Sequence, residues 1–361
     1  MLGPTGHTMA MQKKLNIKSE IERVLKVLSP RNATMLAARY GIANADNTNP
    51  QKRETLESIG QRYGITRERV RQIEEASYIK IRNSEQFSQL KPSIAEVAGF
   101  MNAHGGVVPE RALMENLVVS SKCPHLALLL ALAEEFSKIK ESDEYEASWA
   151  ISPAHADATG TLLADLRKQI EKSGRPMNEN ELLNLMRACN NTRLDLANDN
   201  VVRTLLTVSK QIKKGPFSQW GLVSWSEISP RGVRDKAYLI YEREGRPLHF
   251  RDLTTLIDKA GFTSRNSKKT HPQTVHNELI KDDRFVLVGR GMYALVKWGY
   301  KPGTVRDVLK SILAEAGGPI EKEELVRMVS KQRMVQQNTI LLNLQNRKHF
   351  KKTSEGKIYL A

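Results

Sequence analysis

The chain has 361 residues, of which 40% are hydrophobic, and its 56 Lys and Arg outnumber 40 Asp and Glu for a formal net charge of +16. That length suits two to five compact units rather than one, and the basic excess favours a polyanionic partner. No run of 18 apolar residues or signal-peptide core occurs, so a cytoplasmic chain with no membrane partner is expected, while Cys123 and Cys189, far apart and without His or Cys at metal spacing, exclude a disulfide framework or zinc site and read as buried reduced thiols.

Residues 1–14 read as a disordered leader. In 15–42, the run Leu28, Ser29, Pro30, Arg31, Asn32 is followed by Met35, Leu36, Arg39, Tyr40 and Gly41. Thr55 to Arg82 then spells two short helices, a tight turn and a charged second helix. Leu56, Ile59 and Tyr63 fall at helical spacing, Gly64 supplies a left-handed stop, and Thr66 caps the next helix. Val70 and Ile73 face inward. Arg67 with Arg71 and Glu68 with Gln72 are i, i+4 pairs lying side by side on the opposite face. Arginine can bond guanine bidentately, glutamine can pair with adenine, and glutamate accepts from cytosine.

These residues resemble region four of the housekeeping-type sigma factors of bacterial RNA polymerase, residues 15–42 its first half and 55–82 its second. The resemblance implies that Arg67, Glu68, Arg71 and Gln72 read the upstream promoter hexamer, the minus-35 element; Thr66 and Arg69 complete the candidate DNA-binding set. Three departures stand out at the far end of the second helix, where Ala76, Tyr78 and Ile79 replace the usual Lys, Leu and Arg. The link Asn44 to Glu54 is also longer than the pattern carries. A promoter-opening sigma factor has an aromatic-rich melting region before region four, and only fourteen residues precede Leu15. The expectation is a chain that carries the DNA-reading end of such a factor.

A pattern then recurs four times: a glycine, a polar start and Leu-rich helical spacing, at AHGGVVPERALMENL, KSGRPMNENELLNLM, REGRPLHFRDLTTLI and EAGGPIEKEELVRMV. Gly105, Gly174, Gly245 and Gly317 lie 69, 71 and 72 residues apart. Each copy continues into a further helix and a short strand pair with an aromatic, Trp149, Trp220, Tyr293 or Tyr359, which is the plan of a winged helix. The third copy, with GRPLHFRDLTTLI and HPQTVHNELIKDDRFVLVGRGMYALVKW, resembles the HARE-HTH family, a winged-helix module also seen at the start of the polymerase delta subunit. The resemblance implies a third helix over Thr274–Ile280, wing strands Phe285–Val288 and Met292–Val296, and a turn at Gly289, Arg290 and Gly291.

The predicted fold is mainly α, an N-terminal helix-turn-helix domain (15–91) followed by tandem winged-helix modules with short β-hairpins at 92–151, 159–231, 232–300 and 301–361. Net charge separates these regions: +7 over 1–91, −5 over 92–150, +3 over 151–231 and +11 over 232–361. DNA repels an acidic module, so the 92–151 copy, with its LALLLALAEEF helix, reads as a packing or docking element. In copy three the candidate phosphate contacts are Lys268, Lys269, Thr270, Thr274, Asn277 and wing residue Arg290; in copy four they are Arg333, Gln337, Asn338, Lys348, Lys351 and Lys352. His271 and His276 do not share a helical face, so surface or phosphate-contacting histidines are expected there, not a metal pair. Met328, Met334, Leu341, Leu342 and Leu344 read as core.

No nucleotide loop, HExxH, Gly-x-Ser-x-Gly or Cys/His cluster is present, so no catalytic residue, cofactor, metal or small-molecule substrate is expected. The reading is a sequence-specific, double-stranded-DNA-binding transcription regulator. The alternatives are an RNA polymerase-associated factor docking on the core enzyme and a non-specific nucleoid protein.

Overall fold

The computed structural model describes residues 17–42, 53–118, 123–191, 194–260, 262 and 269–361; the leader, most of the Asn-rich link and the candidate Lys268 lie outside them. The chain divides into two compact units, one holding everything up to Lys213 with Trp220–Val223, the other Lys214–Gln219 with Ser224–Ala361.

In the first unit, α1 (Lys18–Leu25), α2 (Pro30–Tyr40), α3 (Leu56–Tyr63) and α4 (Arg67–Arg82) form the helix-turn-helix region. Ser29, Thr55 and Thr66 take extended backbone, and each hydroxyl accepts from the amide three residues on, which starts α2, α3 and α4. Gly64 ends α3 in the left-handed region at φ 65°. At Gly60 an added Cβ would stand 2.6 Å from the Ile65 carbonyl oxygen, so only glycine lets the α3–α4 turn close this tightly. Met35, Ala38, Ile59 and Val70 form a small core beneath the turn, with Leu56, Tyr63, Ile65 and Ile73 packed on it.

A larger core runs from Ile17 to Trp149 without a break at residue 91. After α5 (Glu85–Ser88) come α6 (Lys91–Ala103), β1 (Val107–Pro109), α7 (Glu110–Leu117), α8 (Pro124–Leu132), β2 (Ser137–Ile139) and β3 (Ser148–Ala150), with sheet order β1-β3-β2. This is a winged-helix arrangement with α8 as its third helix. Its sequence PHLALLLAL is apolar on every side, so it must be enclosed. Leu126, Leu128, Leu129, Leu130 and Leu132 are fully buried in the core that also holds Ile21, Val24, Leu36 and Ile81. The helix-turn-helix region and the acidic module therefore share one interior, and the boundary expected between 91 and 92 is no boundary of packing.

Polar contacts fasten the same join. The Arg82 guanidinium donates to the carbonyls of Leu132 (2.8 Å) and Ala131 (3.2 Å), oxygens that α8 leaves without helical partners, and to Glu134. Tyr78 donates to the Glu74 carboxylate at 2.6 Å and lies 2.6 Å from the Tyr40 hydroxyl. Burial pushes Tyr40 up to about 12 and raises Tyr78 as well. The departure at position 78 thus serves internal packing between α2 and α4.

Glu110 is a second fastening point. Burial raises its carboxyl, but the charges of Lys138 and Arg53 outweigh this and hold it below the ordinary carboxylate range. Arg53 donates to it at 3.0 Å, Lys138 lies 3.2 Å away, and the Trp149 indole donates to it at 3.4 Å. A depressed folded-state pKa contributes stability above the unfolded value that is lost as pH falls through the folded value. Acid titration of unit-one unfolding should therefore be less steep for Glu110→Gln than for the native protein below the ordinary carboxylate range; identical pH profiles would count against this role.

The second module comprises α9 (Pro153–Ser173), α10 (Glu179–Ala188), α11 (Asp199–Val208), β4 (Ile212–Lys214) and β5 (Trp220–Leu222). Its first strand is reduced to a bridge between Met177 and Trp220. Its third helix, α11, is also occupied: a Cβ on Gly105 would meet Val201 Cγ1 at 2.5 Å. The amide of Lys210 donates to Glu144 and that of Glu146 to Val208, both at 2.8 Å, so the first module's wing is tied to the end of α11.

In the second unit, α12 (Val233–Glu244), β6 (Leu248–His249), α13 (Phe250–Lys259), α14 (Pro272–Ile280), β7 (Phe285–Gly289) and β8 (Met292–Leu295) make a winged helix with sheet order β6-β8-β7. Its core gathers Ile240, Tyr241, Leu253, Val275, Leu279 and Phe285. α14 starts two residues earlier than the sequence pattern places it, because His271 caps it through Nδ1 and Pro272 is pre-set for the first helical position. The fourth module has α15 (Val305–Ala316), α16 (Lys322–Gln332), α17 (Gln337–Leu344), β9 (Phe350–Lys352) and β10 (Ile358–Leu360), with an Ile320–Ile358 bridge. Here Leu344 is buried and Met328 and Leu341 pack on the core, but Met334 and Leu342 are 51% and 66% exposed, contrary to expectation.

The repeat now has a physical cause. Gly174, Gly245 and Gly317 end the first helix of their modules at φ 63°, 64° and 64°, a conformation that penalises any Cβ. Trp149, Trp220 and Tyr293 pair with Val108, Met177 and Leu248 of the first strand or its remnant. In the fourth copy Ile358 takes that place and Tyr359 pairs with Lys351.

Candidate nucleic-acid interface

The winged-helix modules differ in net charge, and they differ also in how their third helices are placed. α8 is enclosed by protein, and α11 buries Val201, Val202, Leu205, Leu206 and Val208 while leaving Asn200, Arg203 and Thr207 exposed. Exposed polar faces also remain on α4, α14 and α17.

On α4 the inward residues Val70, Ser77 and Ile81 are buried, leaving Thr66, Arg67, Glu68, Arg69, Arg71 and Gln72 exposed together over the first turns. The helix N-terminus carries the residues that would reach a groove first, and the packed side holds that end against α2 and α3. Arg71 is engaged by two carboxylates: it donates to Glu68 at 2.7–3.1 Å and to Glu75. The hydrogen bond from Arg71 is the main reason Glu68 sits below the ordinary carboxylate range, and the same contact raises Arg71. Arg69 donates to Gln72 at 3.1 Å. Two donor–acceptor pairs are thus displayed in water, where such pairs exchange readily for other partners.

On α14, Gln273, Thr274 and Asn277 are exposed, and Gln273 donates to Asn277 across one turn at 3.1 Å. Lys269 is exposed, and the Thr270 amide donates to Asp258 at 3.1 Å, which holds the lead-in to the helix. Arg290 is exposed at the wing turn, where Gly291 at φ 69° leaves a place a Cβ would fill 2.5 Å from His249 Nε2. His276 does not fulfil the expectation of a surface histidine: its ring packs against Phe250 and Tyr293 at 4.8 and 5.8 Å between centroids.

On the fourth module Gln337, Asn338, Lys348, Lys351 and Lys352 are exposed as expected. Arg333 is not. It is 4% exposed, and its guanidinium donates to the carbonyl oxygens of Leu287, Lys301 (2.9 Å) and Gly303, so it is unavailable to a phosphate. Burial accordingly pulls its pKa down. Arg306 and Lys310 are further cations that sequence pattern did not single out. Burial and the charges of Lys310, Arg306 and Lys348 push the His349 imidazole below its ordinary value. The i, i+4 spacing of Arg306 and Lys310 on α15 was the available signal.

Cys123 and Cys189 are free and half-buried, less enclosed than expected, and no group of three metal-binding side chains occurs among the described residues.

A helix-turn-helix followed by winged helices, with basic and amide-bearing faces left open, is the architecture of a helix-turn-helix DNA-binding protein. Family comparison is more specific: residues 24–83 match sigma-70, region 4, and residues 232–298 match HARE-HTH, the ASXL and restriction endonuclease HTH domain. The chain thus carries a sigma-70 region-four domain and a HARE-HTH domain, which together point to DNA binding and a part in transcription. Similar proteins include RNA polymerase sigma factor SigA of Nostoc sp., 39% identical over 90 residues, covering 25% of this chain and 22% of that protein. SigA1 of Synechococcus elongatus is 40% identical over 78 residues (22% and 18%), and SigA of Listeria monocytogenes 36% over 75 residues (21% and 18%). The chain spans about a fifth of the length of these curated relatives.

Proposed function

We propose that the protein is a sequence-specific DNA-binding transcription regulator and not an enzyme. α4 reads a short major-groove site through Arg67, Glu68, Arg71 and Gln72, and the basic modules of the second unit add phosphate contacts along the duplex. The observation that carries this reading is the exposed Arg67–Gln72 face on a helix whose other side is fixed by Ile59 and Val70. Arginine and glutamine at the start of a docked helix match the base-edge pattern of the major groove, while lysines on α17's module contribute charge without sequence choice. Attachments on one chain strengthen each other through effective concentration. A protein that works on DNA in this way belongs in the cytoplasm, at the nucleoid; among the described residues no helix is long and apolar enough to cross a membrane.

The test is selection of bound duplexes from a random library near physiological salt, with the native protein and an Arg67→Ala, Arg71→Ala double variant. A consensus that disappears in the variant supports the reading. No consensus from either protein would overturn it in favour of non-specific DNA packaging.

A second reading is docking on core RNA polymerase. Ile79, near the far end of α4, is 58% exposed, an apolar side chain with no use in base reading. Co-purification with core polymerase, lost in Ile79→Glu while duplex binding persists, would favour it.

A further inference from the structure

The burial of Arg333, a side chain that sequence pattern assigns to DNA, raises the question of what it does instead. It sits between α16 and α17, in extended backbone at φ −142° and ψ 133°. Its guanidinium reaches three backbone carbonyls outside its own module's helices: Leu287 in β7, and Lys301 and Gly303 in the link before α15. Beside it the Met334 amide donates to the Val288 carbonyl at 2.8 Å, extending the pairing of the β7 edge. Gly289 makes room for this, since a Cβ there would lie 2.6 Å from the Met334 carbonyl oxygen. The segment that leads into α17 is therefore pinned to the strand that leads into the Gly289–Gly291 wing turn.

Only Val335 and Gln336 separate Met334 from the first residue of α17, a span of roughly 10 Å at full extension. Only Gly289 separates Val288 from Arg290. Both tethers are short, so the wing arginine of the third module and the amide side chains opening α17 are kept within roughly 20 Å of each other. Each is exposed, and the fourth module adds exposed cations at Lys348, Lys351 and Lys352.

We propose that the wing turn of the third module and the first turn of α17 form one composite surface for the backbone of double-helical DNA, with Arg333 as its positioning residue. This rests on the reading of the second unit as a phosphate-contacting element. Arg333 offers no atom to the duplex; it fixes the distance between Arg290 on one side and Gln337 and Asn338 on the other. A fixed pair engages a duplex without ordering a flexible join at each encounter, which is the advantage of preorganisation.

The experiment measures binding of the full chain to a fluorescent 30-base-pair duplex of random sequence at low salt, across a cycle of Arg290→Ala and Arg333→Met. Arg290→Ala should weaken binding about fivefold in the native background and less than twofold in the Arg333→Met background, because the displaced wing no longer engages together with α17. Gly289→Ala, which pushes on Met334 from the other side and leaves Arg333 in place, should reproduce the behaviour of Arg333→Met, and circular dichroism should report an unchanged helical content for each. Equal Arg290→Ala losses in both backgrounds would overturn the composite surface while leaving DNA binding intact. Binding that survives Arg290→Ala and Asn338→Ala unaltered would overturn it too. A native chain that binds no duplex would remove the functional reading itself.

Discussion

Residues 15–91 produced alone are expected to lack a cooperative unfolding transition, although they span the whole sigma-70 region-four match. The reason is α8. Its five leucines lie fully buried in a core with Ile21, Leu36 and Ile81, and burying each such side chain is worth about 1.5–3 kcal/mol. Removing them takes away an amount comparable to the whole stability of a small domain, about 5–15 kcal/mol. A fragment running from residue 15 through Val223 keeps this core and should melt in one step. In the intact chain Leu129→Ala should cost about 2–5 kcal/mol and lower the melting of the helix-turn-helix and the acidic module together. Calorimetry on the two fragments decides the matter: a sharp, two-state endotherm from 15–91 would mean that α8 is dispensable.

The second large effect separates reading from holding. Arg71→Ala should reduce affinity for the selected duplex roughly tenfold to a hundredfold, the usual worth of one good base contact, and leave random duplexes nearly unchanged. Lys351→Ala with Lys352→Ala should weaken both duplexes alike and lower the slope of log affinity against log salt by roughly two, one for each phosphate no longer neutralised. Titrations at several salt concentrations measure both quantities at once. The division of labour fails if the two variants give the same loss on both duplexes.

Much of this organisation was legible in the residues. Thr66, Gly64 and the Arg67–Gln72 pattern define α4 because caps and helical spacing are local properties, set within a few residues of chain. Gly174, Gly245 and Gly317 were equally readable, since a left-handed helix end leaves its mark at one position. What local pattern could not supply was occupancy. The run LALLLALAEEF announces a helix that must be covered on all sides, but its cover comes from α1, α2 and α4, far earlier in the chain. Arg333 misled for the same reason: beside Gln337 and Asn338 it looks like part of a basic face, and only the fold brings the carbonyls of Leu287, Lys301 and Gly303 to it. Met334 and Leu342 reverse the error, apolar residues that the fold leaves in the open.

The enclosure of α8 also sets an order of events on the ribosome. The residues that would read bases end at Gln72, yet the helix that completes their supporting interior closes only at Leu132, so α4 emerges before its full support has been made. At about 5–20 residues per second the intervening stretch of roughly sixty residues takes roughly 3–12 seconds to synthesise. If the proposed reading and the dependence on α8 both hold, a nascent chain gains its DNA-reading face only after the acidic module has followed, and a chain truncated between these points should not compete with the finished one.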